Sequence, residues 1–143
     1  TINVPDSCDV LGCTDPKSWN YNPDANQDDG SCIDQREPYA GDWDVSDDCQ
    51  IPFVLANQQS ITYNSQFEDT VRFDPFYFGN GAFGLVDFDE ITIPNQTVGN
   101  ATVDGRGSID TAANTITINY NYTVTIPFLG TRNGSCQATY TKL

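Results

Sequence analysis

Thr115-Ile116-Thr117-Ile118-Asn119-Tyr120-Asn121-Tyr122-Thr123-Val124-Thr125-Ile126 is the stretch whose reading decides the fold. β-branched and aromatic residues at even positions alternate with Thr and Asn at odd ones. That period of two predicts a strand with one buried and one wet face. The stretch before it does the same: Ala101, Val103, Gly105, Gly107 and Ile109 alternate with Thr102, Asp104, Arg106 and Ser108. Ala112-Ala113-Asn114 reads as the hairpin between the two. Asn133-Gly134 reads as a turn before a last strand, Ser135 to Lys142. Further strands are expected over 41–48, 51–55, 59–66, 70–78, 84–88 and 91–93. About eight short strands without helical periodicity predict an all-β domain over residues 39–143. An antiparallel up-and-down barrel is the expected form, because closure removes exposed sheet edges.

The cysteines support closure. Trp43, Val45 and Cys49 share one parity of the first strand region, and Cys136, Ala138 and Tyr140 share one parity of the last. A Cys49–Cys136 bond would tie the two together and remove about 4.5 kcal/mol of unfolded-state entropy in the chain-entropy model.

Ahead of the barrel, residues 1–12 form an extended leader and 33–38 a linker. Between them lies Cys13-Thr14-Asp15-Pro16-Lys17-Ser18-Trp19-Asn20-Tyr21-Asn22-Pro23-Asp24-Ala25-Asn26-Gln27-Asp28-Asp29-Gly30-Ser31-Cys32. This composition cannot bury a core of its own. A Cys13–Cys32 disulfide would close it as a small loop-rich module. Asp15, Asn22, Asp24, Asn26, Asp28 and Asp29 are hard oxygen ligands suited to calcium. Asp29 stands between the third acidic position and Gly30, and no glutamate closes the loop, so an EF-hand is excluded. The other reading of the same side chains is Asx turns that cap their own backbone. Cys8 is left over and points to an intermolecular bond or a free thiol. The alternation Thr1-Ile2-Asn3-Val4 beside it suits a short strand added to a neighbour's sheet edge.

Gly12-Cys13-Thr14-Asp15-Pro16, Asn20-Tyr21-Asn22-Pro23 and Asp28-Asp29-Gly30-Ser31-Cys32 together resemble a module found, often repeated, in secreted and surface proteins of Bacteroidetes-type bacteria. A second resemblance covers about residues 39–143. Gly41-Asp42-Trp43 is similar to the Gly-x-Trp signature of lipocalins. Ile91 to Val98, the glycine-spaced 101–109 strand and the ending Ser135 to Lys142 resemble lipocalin-like domains of bacterial surface proteins. That likeness implies a basic residue over the tryptophan, with Lys142 and Arg132 as candidates. Asp69-Thr70-Val71 and Asp110-Thr111-Ala112 resemble the O-glycosylation pattern of such exported proteins, which implies Thr70 and Thr111 as acceptors. Asn95, Asn100, Asn121 and Asn133 begin Asn-x-Ser/Thr sequons.

The charge balance narrows the functions. Net charge is −14, and the six basic residues are scattered, so a nucleic-acid partner is excluded. Residues 1–50 hold 12 of the 20 acidic groups, a bias that fits cation binding or a solvated surface. The chain has no His, no C-x-x-C and no strained Gly-x-Ser-x-Gly turn, and no carboxylate pair has an apolar flank. No catalysis is expected. No run is long and apolar enough for a membrane span. Five cysteines point to an oxidising compartment. The absence of Met fits a mature chain whose signal peptide has been removed. Phe67, Phe73, Phe76, Tyr77, Phe78, Phe83 and Phe88 crowd one segment. They either line a cavity for a small apolar ligand or fill a packed barrel. The expectation is a non-enzymatic structural or adhesive module on the bacterial cell surface or outside the cell. Its partners would be copies of itself or other surface proteins. The alternative is a lipocalin-like binder of an apolar ligand.

Overall fold

The computed structural model describes residues 9–50 and 53–143. Cys8, with the leader up to it, and Ile51 and Pro52 of the expected 51–55 strand lie outside the described residues. The short strands β1 (Leu11–Gly12) and β2 (Gln27–Asp28) pair in parallel. A 3-10 turn, Glu37–Tyr39, leads into the barrel. Its strands are β3 (Gly41–Asp47), β4 (Gln58–Thr62), β5 (Thr70–Tyr77), β6 (Asn80–Asp87), β7 (Glu90–Val98), β8 (Ala101–Asp110), β9 (Thr115–Ile126) and β10 (Gly130–Lys142). Each pairs antiparallel with the next, and β10 closes onto β3. The result is an eight-stranded, all-β, up-and-down closed barrel. Both expected disulfides form, Cys13–Cys32 and Cys49–Cys136.

Several local expectations are corrected. Asn133-Gly134 is no turn; the pair lies inside β10, opposite Thr123 and Tyr122. The turn comes earlier, where Phe128 (φ 68°) and Gly130 (φ 88°) reverse the chain. Gly134 serves close approach instead, since a Cβ there would lie 2.6 Å from the Tyr122 hydroxyl. Of the expected 51–55 strand, Leu55 forms only an isolated bridge to Tyr77. The chain turns inward at this point. Phe53 is fully buried, with its ring 4.5 Å from that of Tyr122 and 5.1 Å from that of Tyr77. Strand β7 runs well past Ile93 because a bulge between Ile93 and Gln96 absorbs the break in alternation.

The barrel interior is packed with side chains. Phe73, Phe76, Tyr120, Tyr140, Ile91, Ile116 and Ile118 are fully buried. Phe76 meets Phe73 and Tyr120 edge-on at 6.0 and 5.5 Å. The polar atoms among them are satisfied. The Tyr120 and Tyr140 hydroxyls lie 2.8 Å apart, Tyr140 donates to Gln59 Oε1 at 3.2 Å, and Gln59 Nε2 donates to the Ala56 carbonyl at 3.1 Å. Burial raises both tyrosines above their ordinary pKa, so the network stays neutral. Of the aromatic segment, Phe73, Phe76 and Tyr77 point in, while Phe67, Phe78 and Phe83 stand exposed.

Trp43 anchors the seam between first and last strands. It is fully buried, and its Nε1 donates to the Tyr39 carbonyl at 2.9 Å. Lys142, opposite it on β10, is the basic residue over the ring, with Nζ 5.1 Å from the ring centroid. Arg132 lies ten residues back along β10, opposite Val124. Gly41 is required here: its φ is 129°, and a Cβ would press on Lys142 Cε at 3.0 Å. Replacing Trp43 with Ala is expected to cost about 3–5 kcal/mol in denaturant unfolding; a loss under about 1 kcal/mol would contradict its place in the core.

Candidate functional site

The base of the barrel, where β3 starts and β10 ends, carries the densest polar constellation among the described residues. Its centre is Arg36, which is 3% exposed. Asp34 accepts from Arg36 Nε at 2.9 Å and from Nη2 at 2.7 Å, a two-point carboxylate bond. Arg36 Nη1 donates to the carbonyls of Asn64 (2.8 Å), Thr70 (3.2 Å) and Phe67. The guanidinium also lies 4.3 Å from the Tyr63 ring centroid, and Tyr63 donates its hydroxyl to Glu37. That bond, with burial, pushes the Tyr63 pKa up to about 12. The Arg36 bond holds Asp34 below the usual carboxylate range, against a smaller opposing effect of burial.

Gln35 and Tyr39 extend the constellation to the β6–β7 turn. Gln35 Oε1 accepts the Phe88 N–H at 2.9 Å, and Tyr39 donates to the Phe88 carbonyl at 2.7 Å. Trp19 of the disulfide-closed module donates Nε1 to the Gln35 carbonyl at 2.7 Å and meets the Phe88 ring edge-on at 5.8 Å. The stretch read as a linker is therefore the joint that fixes module to barrel. Trp19, Gln35, Arg36 and Tyr39 together hold the module against the barrel base.

The six calcium candidates lie along the module's turns. Oδ1 atoms of Asp15, Asn22, Asn26, Asp28 and Asp29 accept the N–H groups of Lys17, Asp24, Val10, Gly30 and Ser31, at 2.8–3.0 Å. Asp24 is exposed. Hydrogen bonds from the Ser31 hydroxyl and N–H hold the Asp29 pKa low. Among the described residues no three acidic or cysteine side chains gather where they could hold a metal. Three of the four sequon residues are engaged as well: Asn100 bonds Tyr77 and Thr125, and Asn95 and Asn121 bond Asp104. Thr111 is exposed in the β8–β9 turn, whereas the Thr70 carbonyl is held by Arg36. Sequence reasoning missed Arg36, Gln35 and Phe53. The one available signal was a lone arginine in an otherwise acidic stretch.

The chain matches no family model, no curated protein and no solved structure.

Two outcomes follow from this geometry. Substituting Arg36 with Met leaves three carbonyls without a donor, and a loss of at least about 2 kcal/mol is expected, with amide exchange accelerated across 62–70. Acid should act alike through Asp34. A carboxylate with a depressed folded pKa stabilises above its unfolded value, near 4, and loses that contribution as pH falls through the lower folded value. Protection of 33–40 that stays unchanged as the pH is lowered stepwise until the barrel itself unfolds would contradict the clamp. Separately, if the module's carboxylates act as caps, amide protection across 13–32 is the same in calcium and in chelator. Greater protection in calcium, confined to the loop, would assign the six side chains to an ion.

Proposed function

We propose that the chain is an exported, non-enzymatic structural or adhesive module of a bacterial cell-surface or extracellular assembly, working through contacts with its own copies or other surface proteins. The observation that carries this reading is an exposed aromatic rim on a filled barrel. At the barrel's mouth, opposite the base, Phe78 and Phe128 occupy hairpin tips at positive φ (47° and 68°) and are 71% and 106% exposed. Leu129 beside Phe128 is exposed too. Bulky residues in the left-handed region are strained; Phe128 gains no burial in return, and Phe78 gains only a ring contact with Tyr77 at 4.6 Å. Exposed aromatic groups of this kind favour protein contacts.

The rest of the molecule suits a load-sharing part. Phe53 stoppers the mouth and the Arg36 joint closes the base, so the interior offers an apolar ligand little room. Two disulfides fit an oxidising compartment outside the cytoplasm. No helix of the described residues is long and apolar enough to cross a membrane. The resemblance of residues 12–32 to modules of Bacteroidetes-type surface proteins supports the same setting, in which Thr70 and Thr111 are glycan acceptors.

Native mass spectrometry of the protein as isolated tests the reading. Species heavier than the 15.7 kDa chain are expected, without small apolar adducts. The double substitution Phe78→Ser, Phe128→Ser is expected to return a folded monomer. A monomer carrying an apolar adduct would favour the lipocalin-like ligand binder instead.

A further inference from the structure

The outer face of β8, β9 and β10 takes no part in the core or in the Arg36 joint. Register sets the even residues of β8 beside odd residues of β9 and β10, in rows such as Asp104–Asn121–Ser135, Arg106–Asn119–Gln137 and Ser108–Thr117–Thr139. From the Thr102 row to the Asp110 row, the charged side chains are Asp104, Arg106 and Asp110; the others carry hydroxyls or amides. Two acidic groups and one basic group leave this face near neutrality on a chain of net charge −14.

Its centre is a shaped groove. The β7 bulge between Ile93 and Gln96 brings Asn95 to Asp104. Asn121 Nδ2 donates to Asp104 Oδ1 at 3.0 Å, and Asn95 Nδ2 reaches Oδ2 at a long 3.5 Å. The carboxylate is thus oriented between two amides and keeps acceptor sites to spare. On the next row, Gln137 Nε2 donates to Asn119 Oδ1 at 3.1 Å. Asn95, Asp104 and Asn121 line both of two adjoining open hollows, of about 340 and 440 Å³. Pro94 gives the second an apolar wall.

We propose that this groove binds a neutral oligosaccharide. Sugar hydroxyls both donate and accept, and a carboxylate held between amides offers the matching acceptors and N–H donors side by side. An anionic ligand would meet Asp104 and the chain's negative field. An apolar ligand would strip water from the amides and the carboxylate without replacing its hydrogen bonds. The proposal rests on the adhesive half of the function above and names the ligand class that such adhesion would use. It does not depend on self-association.

The test is a printed array of neutral gluco-, manno-, galacto- and N-acetylglucosamine oligomers beside sialylated and sulfated ones, probed with the full chain. Binding to neutral members is expected. Asp104→Asn and Asn121→Ser should each weaken it at least about tenfold. Asp44→Asn, on the outer face of β3, should leave it unchanged. Amide shifts on adding the best neutral oligomer to the ¹⁵N-labelled chain should fall on 94–96, 102–106, 119–123 and 133–137. No neutral binding, a preference for anionic members, or binding that survives both groove substitutions would overturn the proposal. A monomer by native mass that still binds neutral glycans would overturn self-association alone; an oligomer that binds none would overturn this groove alone.

Discussion

Closure of the sheet between β3 and β10 is the constraint on which the rest depends. Five rungs join these strands, from Trp43↔Lys142 to Asp47↔Ala138, against three between β4 and β5 and three between β6 and β7. What sets this seam apart is that it joins the two ends of the sheet, with no hairpin to hold them together. Both ends of it are fastened by side chains. At the base, Lys142 packs over Trp43 in the space Gly41 leaves and donates to the Pro38 carbonyl. At the other end, Asp48 and Gln137 exchange two hydrogen bonds and the Cys49–Cys136 disulfide follows. An open seam would expose the edges of both strands and wet the tyrosine network behind them.

Once the wall is closed, the two mouths need stoppers, and the chain supplies one to each. The 49–57 connection folds Phe53 into the upper mouth, and the segment before β3 folds Gln35, Arg36 and Tyr39 under the base. The disulfide-closed module is carried along with the second stopper, because Trp19 bonds Gln35 and contacts Phe88. Module and barrel are thus joined by a hydrogen bond and a ring contact. That joint and the exposed aromatic rim together support the structural or adhesive reading.

How much of this was legible depended on the reach of the signal. Alternation in 101–109 and 115–126 reports a local property, the pleat, and it specified strands, facing and hairpin. Cysteine parity reported one long-range contact correctly. The signal failed where a residue's role is set by a distant partner. Gly134 looked like a turn glycine, yet it is there to admit the Tyr122 hydroxyl from the next strand. Residues 33–38 looked like a polar linker, because the carbonyls that satisfy Arg36 come from 64–70, remote in sequence. Of the candidate site, the module's loop and its capping side chains could be read from composition. The groove around Asp104 could not, since it needs the β7 bulge and the register of three strands.

The account turns on a barrel closed where its last strand meets its first. Amide hydrogen exchange on the intact, oxidised protein measures that most directly. Backbone amides paired across Trp43–Asp47 and Ala138–Lys142 should exchange as slowly as those in the middle of β9, all limited by global unfolding. Fast exchange in those two segments, with β5 to β9 still protected, would show an open sheet and contradict the account.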